Sequence, residues 1–401
     1  MERLEAPHTY GNIKETYRKG IVTNVVCFLT IIVTVLTQVP ELSGFIRPVM
    51  YSFWILALIV GISENGFIIQ RNRFLGLYII VLFILGGECL ICNLTQGTHL
   101  DSFALQVIPL PLLCYTVGAF FARIVDVKLS RQCLIVLFVT VFLTFTYVFV
   151  TYIGSLSVWA SASRYLYLQK NSAVQILGST MLLTGFLVRP KEKWLKIMKY
   201  IALVIMFVFV VAMQGRTALV GLLTTAAVYY FLVLHGRKKV IVTLVLLIAV
   251  IVVFNSDTLM EYVTKAFVFQ ERQRQSLDYF TSGRLTLFAT AWKTFKEYPF
   301  VGTGHYRVDD LYLFLLTDVG LVGFIPIIIL WVTRITKNVS AFIREKTPFT
   351  SCILCLTVFY FMESLFEAYP PFGPGVCTFM FWIVCAFLDV RGSFKKEAEG
   401  L

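Results

Sequence analysis

The sequence has little charge for its length. Asp, Glu, Lys and Arg make up only 14% of its 401 residues, whereas a soluble domain has about 25%. Hydrophobic residues account for 58%, and the mean hydropathy is +0.79. This shortage of polar surface excludes an ordinary soluble enzyme and places the chain among membrane proteins.

The short alternating segments of a membrane β-barrel are also missing. Apolar runs of roughly 17–25 residues recur instead, and each can cross about 30 Å of hydrocarbon as a helix. They predict an all-α integral membrane protein with about twelve transmembrane helices. The predicted spans are 21–39, 48–62, 74–93, 103–122, 133–153, 173–188, 197–213, 217–234, 240–254, 310–333, 350–368 and 375–390.

The net charge of +12 does not indicate a nucleic-acid partner, because the cations fall in alternate loops. This is the pattern by which membrane proteins set their orientation, with Lys and Arg in the cytoplasm. With twelve spans it places both termini in the cytoplasm. The cations concerned are Lys14, Arg18, Lys19, Arg71, Arg73, Arg123, Lys128, Arg131, Arg189, Lys191, Lys193, Lys196, Arg237, Lys238, Lys239, Arg334, Lys337, Arg344, Lys346, Arg391, Lys395 and Lys396.

Signals for secretion and for metal binding are weak. The first apolar run lacks a small-residue cleavage site, so we expect it to remain as a membrane anchor. The nine cysteines include the C-x-x-C pairs Cys89/Cys92 and Cys352/Cys355. These pairs lie in or beside apolar spans and away from polar loops with further ligands, so we interpret them as small apolar side chains and predict no metal site.

One long polar segment interrupts the apolar pattern and divides the chain. We expect an N-terminal transmembrane bundle of about nine spans at 1–254, a periplasmic amphipathic loop at 255–307, and three spans with a cytoplasmic tail at 308–401. Within the loop, Ser282 can cap a helix whose apolar face carries Leu285, Phe288, Trp292 and Phe295, and Pro299 ends it.

Arginines on the outer side run against the inside-positive trend. Arg164 and Arg216 lie in outer loops, and Arg272, Arg274, Arg284 and Arg307 share the large one. Planar guanidinium groups suit phosphate and pyrophosphate. Arg216 is open to two interpretations, an anion contact or an anchor that snorkels to lipid phosphate. Trp159, in the same loop as Arg164, is typical of an interfacial aromatic belt.

Carboxylates lie at the start of the last spans and within them. Asp309 and Asp310 begin one span, and the helix dipole explains one of them at about 0.3–1 kcal/mol. Asp318 would lie roughly 12 Å deeper, and Glu363 and Glu367 share a face of the next span. The preceding Gly302-Thr-Gly304 follows no strand and lacks a third glycine, so it predicts a turn and not a nucleotide site.

Four groups of residues, in this order, carry a family resemblance. They are Arg164 with Asn171; the Gln214–Gly221 stretch around Arg216; Ser282-Gly-Arg284 with Trp292, Pro299 and Gly302-x-Gly304; and Leu311-Tyr-Leu with the Val319–Gly323 stretch. Together they resemble the O-antigen ligase and polymerase superfamily of bacterial membrane proteins.

The resemblance implies a C-type glycosyltransferase fold without metal or cofactor, in the bacterial inner membrane. The substrate would be an oligosaccharide linked to undecaprenyl pyrophosphate. The protein would contact the lipid bilayer, and a chain-length regulator would be a protein partner. Pyrophosphate contacts would come from Arg216, Arg284, Arg164 and Arg307. The base candidates, in order, are Asp310, Asp309 and His305, although His305 can also be a polar turn residue. Glycan contacts would come from Trp159, Trp292, Glu363 and Tyr306.

One departure from the family bears on the reaction. Ligases carry a His-Asn pair where this chain has Asp309-Asp310, which favours a polymerase that joins lipid-linked repeat units. The alternatives are a ligase that transfers the glycan to lipid A core, a transporter or flippase, and a cell-wall polymerase of the shape-and-division type. A transporter is disfavoured because the sequence shows no paired internal repeat.

Overall fold

We analysed the fold in a computed structural model. It describes residues 13–65, 73–96, 108–125, 127–152, 164–165, 168–213, 215–237, 239–244, 247, 255–256, 284–304, 308–373 and 375–398. All statements about structure below concern these residues.

The described chain is helical apart from one hairpin of two-residue strands. The helices are α1 (Ile13–Leu36), α2 (Ser43–Asn65), α3 (Arg73–Gln96), α4 (Pro109–Ile124), α5 (Val127–Tyr152), α6 (Lys170–Leu187), α7 (Lys193–Ala212), α8 (Arg216–Leu232), α9 (Arg284–Glu297), α10 (Leu311–Asp318), α11 (Gly320–Arg344), α12 (Pro348–Ser364) and α13 (Val376–Ala398). Strands β1 (Arg164–Tyr165) and β2 (Leu168–Gln169) pair antiparallel before α6.

Several of these helices suit a bilayer. Five are long and apolar enough to cross one, namely most or all of α2, α3, α5, α7 and α11, and four shorter apolar helices accompany them. Large apolar side chains stand outward on them, such as Phe45, Phe83 and Val150, each at least 70% exposed. The all-helical, multi-pass prediction is confirmed at this level, while the count of about twelve spans stays a prediction.

The predicted span 310–333 is two helices and not one. Helix α10 ends at Asp318, Gly320 has φ 56°, and α11 then continues to Arg344. The backbone N–H groups of Thr303 and Gly304 donate to the carbonyls of Thr317 and Asp318, both at 2.8 Å. The Gly302-Thr-Gly304 turn therefore caps the end of α10, which explains how the chain can break inside a continuous apolar run.

Two glycines make this contact possible. Gly302 and Gly320 both have positive φ, and a Cβ on either would lie within 2.5 Å of the backbone of the opposing segment. Only glycine combines that conformation with so close an approach. The sequence shows both glycines, but not that they face each other.

We expect Gly302→Ala to destabilise the protein by more than about 1 kcal/mol, because it adds a backbone clash to an unfavourable φ. The measurement is the thermal midpoint of the purified chain in detergent. Gly76→Ala is the matched control, since Gly76 is in α3 with nothing within 4 Å of its Cβ position. That change should be neutral or stabilising by up to about 1 kcal/mol. Equal midpoints for both variants would contradict the packing described.

A buried ion network ties four helices together at one end of the bundle. Arg334 of α11 is fully buried and donates to both carboxylate oxygens of Asp389 of α13, at 2.8 and 3.0 Å. Tyr115 of α4 donates to the same carboxylate at 2.6 Å, and Lys337 lies 3.3 Å from it. The Arg334 guanidinium also lies 5.0 Å from the ring centre of Phe74 of α3.

Asp389→Asn should destabilise the chain by about 3–5 kcal/mol, because it leaves the Arg334 charge buried without its counterion. Tyr115→Phe removes one hydrogen bond from the same carboxylate and should lower stability by about 1–3 kcal/mol. Thermal midpoints in detergent measure both changes, and Glu297→Gln, at an exposed carboxylate, is the control. If the network contributed little to stability, Asp389→Asn and Glu297→Gln would have the same thermal midpoint.

Candidate functional site

Polar side chains from five helix ends meet at the other end of the bundle. They come from the starts of α6, α8, α9 and α10 and from the end of α12. The approach of α8 to α12 depends on Gly221, where a Cβ would lie 3.0 Å from Phe359. Small residues at such crossings let membrane helices approach closely.

Glu363 lies at the centre of this group. It is fully buried near the end of α12, and the Gln175 side-chain amide of α6 donates to its Oε2 at 2.7 Å. Its Oε1 is also buried, and it has no hydrogen-bond partner within the described residues. That oxygen lies 3.4 Å from the Cβ position of Gly221, so it faces α8. A buried oxygen without a partner is rare and indicates a place where a ligand or water binds.

Glu367 follows one turn later, just beyond the end of α12. Its Oε1 accepts from the Asn171 amide at 2.7 Å and forms an ion pair with Arg284 at 3.3 Å. Arg284 is the first residue of α9, and it also interacts electrostatically with Glu363 and Asp310. The loop helix α9 is thus attached to the bundle through its first side chain.

The two adjacent aspartates have different surroundings. Asp310 is 8% exposed and caps α10, since its Oδ1 accepts from the Leu313 backbone N–H at 2.7 Å. Asp309 is exposed and interacts electrostatically with Glu367. Tyr312, in the first turn of α10, shares a 3.0 Å hydrogen bond with Ser364 of α12. The start of α10 is thereby fixed against the carboxylate group.

Arg216 begins α8 beside the same group. The preceding Gly215 packs on α6, where its Cβ position lies 2.5 Å from Val174, between Asn171 and Gln175 in the sequence. The following Thr217 lies one turn from Gly221, and its buried hydroxyl has no hydrogen-bond partner in the described chain. Arg216 is therefore held at the contact between α6 and α8, next to the helix that carries Glu363.

Two carboxylates that lie just beyond helix ends, Glu367 after α12 and Asp310 before α10, have raised pKa values. Burial raises the pKa of Glu367 to about 7; Arg284 opposes the rise, and Asp309 adds to it. Burial also raises the pKa of Asp310, against its backbone hydrogen bonds and Arg284. A carboxyl with a pKa near neutrality can exchange a proton with a substrate at physiological pH.

The structure brings some predicted residues together and leaves others apart. Arg284, Glu363 and Asp310 belong to one group, with Arg216 beside it. Trp292 lies on α9 about 12 Å along the axis from Arg284 and is 46% exposed. Trp159, His305, Tyr306, Arg307 and the predicted cap Ser282 lie outside the described residues. Only the backbone of Arg164 is described, paired with Gln169.

Asp318, also singled out in the sequence, lies elsewhere. It is fully buried at the C-terminal end of α10 and interacts electrostatically with Glu88 of α3. The apolar face predicted for α9 is also different: Ala291 is buried and Phe288 packs on the core, whereas Leu285 is exposed. The buried stripe is shifted because the helix contacts the bundle at its Arg284 edge.

Gln175 and Ser364 were missed as site residues. Asn171 and Tyr312 were named only within the family motifs, and Glu367 only as the partner of Glu363 on a helix face. Asn171 and Gln175 are 196 and 188 residues from their carboxylate partners. No local spacing could reveal such contacts. The one available signal was the presence of two amides in the first turns of an apolar helix, which is unusual in a membrane span.

Two arginines bring positive charge to this group of carboxylates. Within the described ranges, no group of three His, Cys, Asp or Glu side chains could hold a metal ion. Arg284 and Arg216 bring fixed positive charge to a partly buried position, where it acts strongly on a bound anion.

Residues 201–318 match the family model described as O-antigen ligase. The matched segment contains Arg216, Arg284, Asp309 and Asp310, whereas Glu363 and Glu367 follow it. No match to a curated protein is found for the chain. The family match confirms the resemblance to the O-antigen ligase and polymerase superfamily.

Proposed function

From the match of residues 201–318 to the O-antigen ligase family, we propose that this multi-pass membrane protein is a polysaccharide polymerase. It joins oligosaccharide repeat units carried on undecaprenyl pyrophosphate into a surface glycan of the O-antigen or capsule type. The reaction takes place at the periplasmic face of the inner membrane, with both termini in the cytoplasm. The fold would be that of a C-type glycosyltransferase with about twelve spans.

The observation that carries this proposal is the Arg284–Glu367 pair at 3.3 Å, beside Asp309, Asp310 and the start of α8. The leaving group of the reaction is a lipid diphosphate on which negative charge develops. Guanidinium groups held in place before the reaction stabilise that charge without reorganising. Arg284 and Arg216 are the residues proposed to do so.

Glu367 is the base that this geometry supports best. The acceptor hydroxyl oxygen attacks the anomeric carbon, the bond from that carbon to the diphosphate oxygen breaks, and the hydroxyl proton moves to a carboxylate. Asp310 was first in the sequence-based order, and one oxygen of each carboxylate is engaged, by the α10 cap in Asp310 and by Asn171 and Arg284 in Glu367. We favour Glu367 because burial raises its pKa to about 7, where a carboxyl can exchange a proton at physiological pH. Glu367 is mostly buried and paired with Arg284, and Asp309 is its nearest acidic competitor in our proposal.

Arg216→Ala and Arg284→Ala should each abolish chain extension, because removing one donor to a developing anion lowers the rate about 100- to 1,000-fold. The measurement is the glycan pattern on a gel, in a deletion strain that carries the variant. Single repeat units on the core should replace the ladder. Arg284→Lys should not restore it, since an ammonium group cannot reproduce the planar fork.

Arg237→Ala is the matched control, because Arg237 is an exposed arginine beyond the far end of α8. It should leave the ladder intact. Membrane insertion of each variant is verified by immunoblot of membrane fractions. Full-length ladders from both site variants would sink the assignment of these arginines.

If Glu367 is the base, polymerisation should rise with pH through about 7, where its carboxyl loses the proton. Glu367→Gln should lower the rate about 100- to 10,000-fold. Asp309→Asn should keep activity and shift this rise in rate to lower pH, because removing a neighbouring negative charge lowers the pKa of Glu367. The rate is measured on purified lipid-linked repeats in vesicles. A pH limb that survives in Glu367→Gln would exclude Glu367, and loss of activity in Asp309→Asn would transfer the role to Asp309.

The ligase is the second candidate, because the matching family model carries that description. The acceptor separates the two reactions. A deletion strain with one-repeat glycans on core has lost a polymerase, whereas naked core with accumulated lipid-linked polymer indicates a lost ligase. Unaltered glycans with altered solute uptake would indicate a transporter.

A further inference from the structure

A cavity of about 330 Å³ lies at the end of the bundle opposite the carboxylate group. It is bordered by α1, α4, α5, α6 and α13, with Phe349 from the start of α12. Its walls are almost entirely apolar, with Phe121, Leu137, Leu183 and Phe379 among them. The space is partly open to the outside of the bundle, so a flexible apolar chain can enter it from the side.

The cavity is about as long as one leaflet is thick. Its lining on α13 extends from Phe379 to Arg391, which is about 18 Å along a helix. Half of a bilayer's hydrocarbon core is about 15 Å. The space therefore has the length of an extended acyl chain within one leaflet.

Two arginines stand at one end of this cavity. Arg391 donates to the Val125 carbonyl and the Ser130 hydroxyl, both at 3.0 Å, and Arg131 donates to the Arg189 carbonyl at 2.6 Å. These bonds fix the two guanidinium groups where the start of α5, the end of α6 and the C-terminal part of α13 meet. No carboxylate is among the described residues that line the cavity.

We propose that this cavity binds an anionic phospholipid, with one acyl chain between the helices and the phosphate at Arg131 and Arg391. Length, apolar lining and charge at a single end together match the shape of such a lipid. A free phosphate would not fill the apolar part, and a neutral lipid would not use the arginines. The proposal is independent of the proposed glycosyl transfer.

The test is native mass spectrometry of the full chain in detergent, with dioleoyl phosphatidylglycerol or dioleoyl phosphatidylcholine added at equal concentration. Phosphatidylglycerol should be retained preferentially, by about fivefold for each arginine near the headgroup. The double variant Arg131→Gln/Arg391→Gln should lose the preference. The control Lys128→Gln/Arg237→Gln removes the same charge at exposed positions outside the lining and should keep it.

Leu134→Trp tests the cavity itself if the double variant does not fold. Leu134 lines the space and is only half-buried, so the indole can fill it while both arginines remain. This variant should lose bound phosphatidylglycerol. The proposal is overturned if the double variant keeps the preference, if Leu134→Trp retains the lipid, or if undecaprenyl phosphate displaces phosphatidylglycerol at equal concentration.

Discussion

A polar side chain in hydrocarbon cannot exchange its partner for water, so the partner must come from the protein. In this chain the partners come from other helices. Arg334 and Asp389 join α11 to α13 at one end, and Gln175 and Glu363 join α6 to α12 at the other. Between these ends many contacts are apolar and close, as at Gly118, whose Cβ position lies 2.9 Å from the backbone of Ile383. Hydrogen bonds such as Ser179–Tyr360, at 2.7 Å, add to them. The polar pairs therefore determine which helices are neighbours, and packing between small residues determines how near they come.

The two polar groups differ in how fully their carboxylates are satisfied. The Asp389 carboxylate receives two hydrogen bonds from Arg334, one from Tyr115 and an ion pair with Lys337. In the other group, Glu363 Oε1 and the Thr217 hydroxyl are buried without a hydrogen-bond partner in the described ranges. Arg334 Nε is likewise buried without a hydrogen-bond partner in the described ranges, so the difference lies in the carboxylates. An unmet buried oxygen such as Glu363 Oε1 costs about 1–3 kcal/mol. Glu363 Oε1 is therefore a carboxylate oxygen to which a substrate or a water molecule can donate a hydrogen bond.

Sequence reasoning was accurate where the property is local. The spans that became α2, α3 and α7 follow from hydropathy, because a helix long enough for the membrane must also be apolar. The start of α9 near Arg284 and its end before Pro299 follow from turn and helix-breaking residues. The break between α10 and α11 was not predicted, because the run around Val319 is long and apolar enough to be read as one span despite Asp318 and Gly320. Only the packing of Gly302 against Gly320 makes the break necessary.

In the candidate site, too, local features were predicted and contacts between distant segments were not. The arginines could be identified because Lys and Arg are uncommon in loops predicted to lie on the outer side of the membrane. That bias can be read from each loop by itself. The amides of Asn171 and Gln175 could not be assigned to carboxylates nearly two hundred residues away, since that pairing depends on the helix arrangement. Asp310 was ranked as a base because two adjacent carboxylates seemed more than a helix cap requires. The structure explains one of them by capping and leaves the other exposed.

Carboxylates beside arginines look unsuited to a diphosphate, since they repel it and occupy its partners. On the proposed mechanism the conflict disappears during the reaction. When the acceptor proton moves to Glu367, that side chain loses its charge, and Arg284 is released from the ion pair it forms at 3.3 Å. The same step leaves new negative charge on the diphosphate, which the released guanidinium can stabilise. A nearby anion also favours the protonated form of Glu367, so proton transfer and departure of the leaving group would assist each other. Glu367 and Arg284 would thus act as one unit, with the guanidinium bound more strongly to the substrate in the transition state than before it.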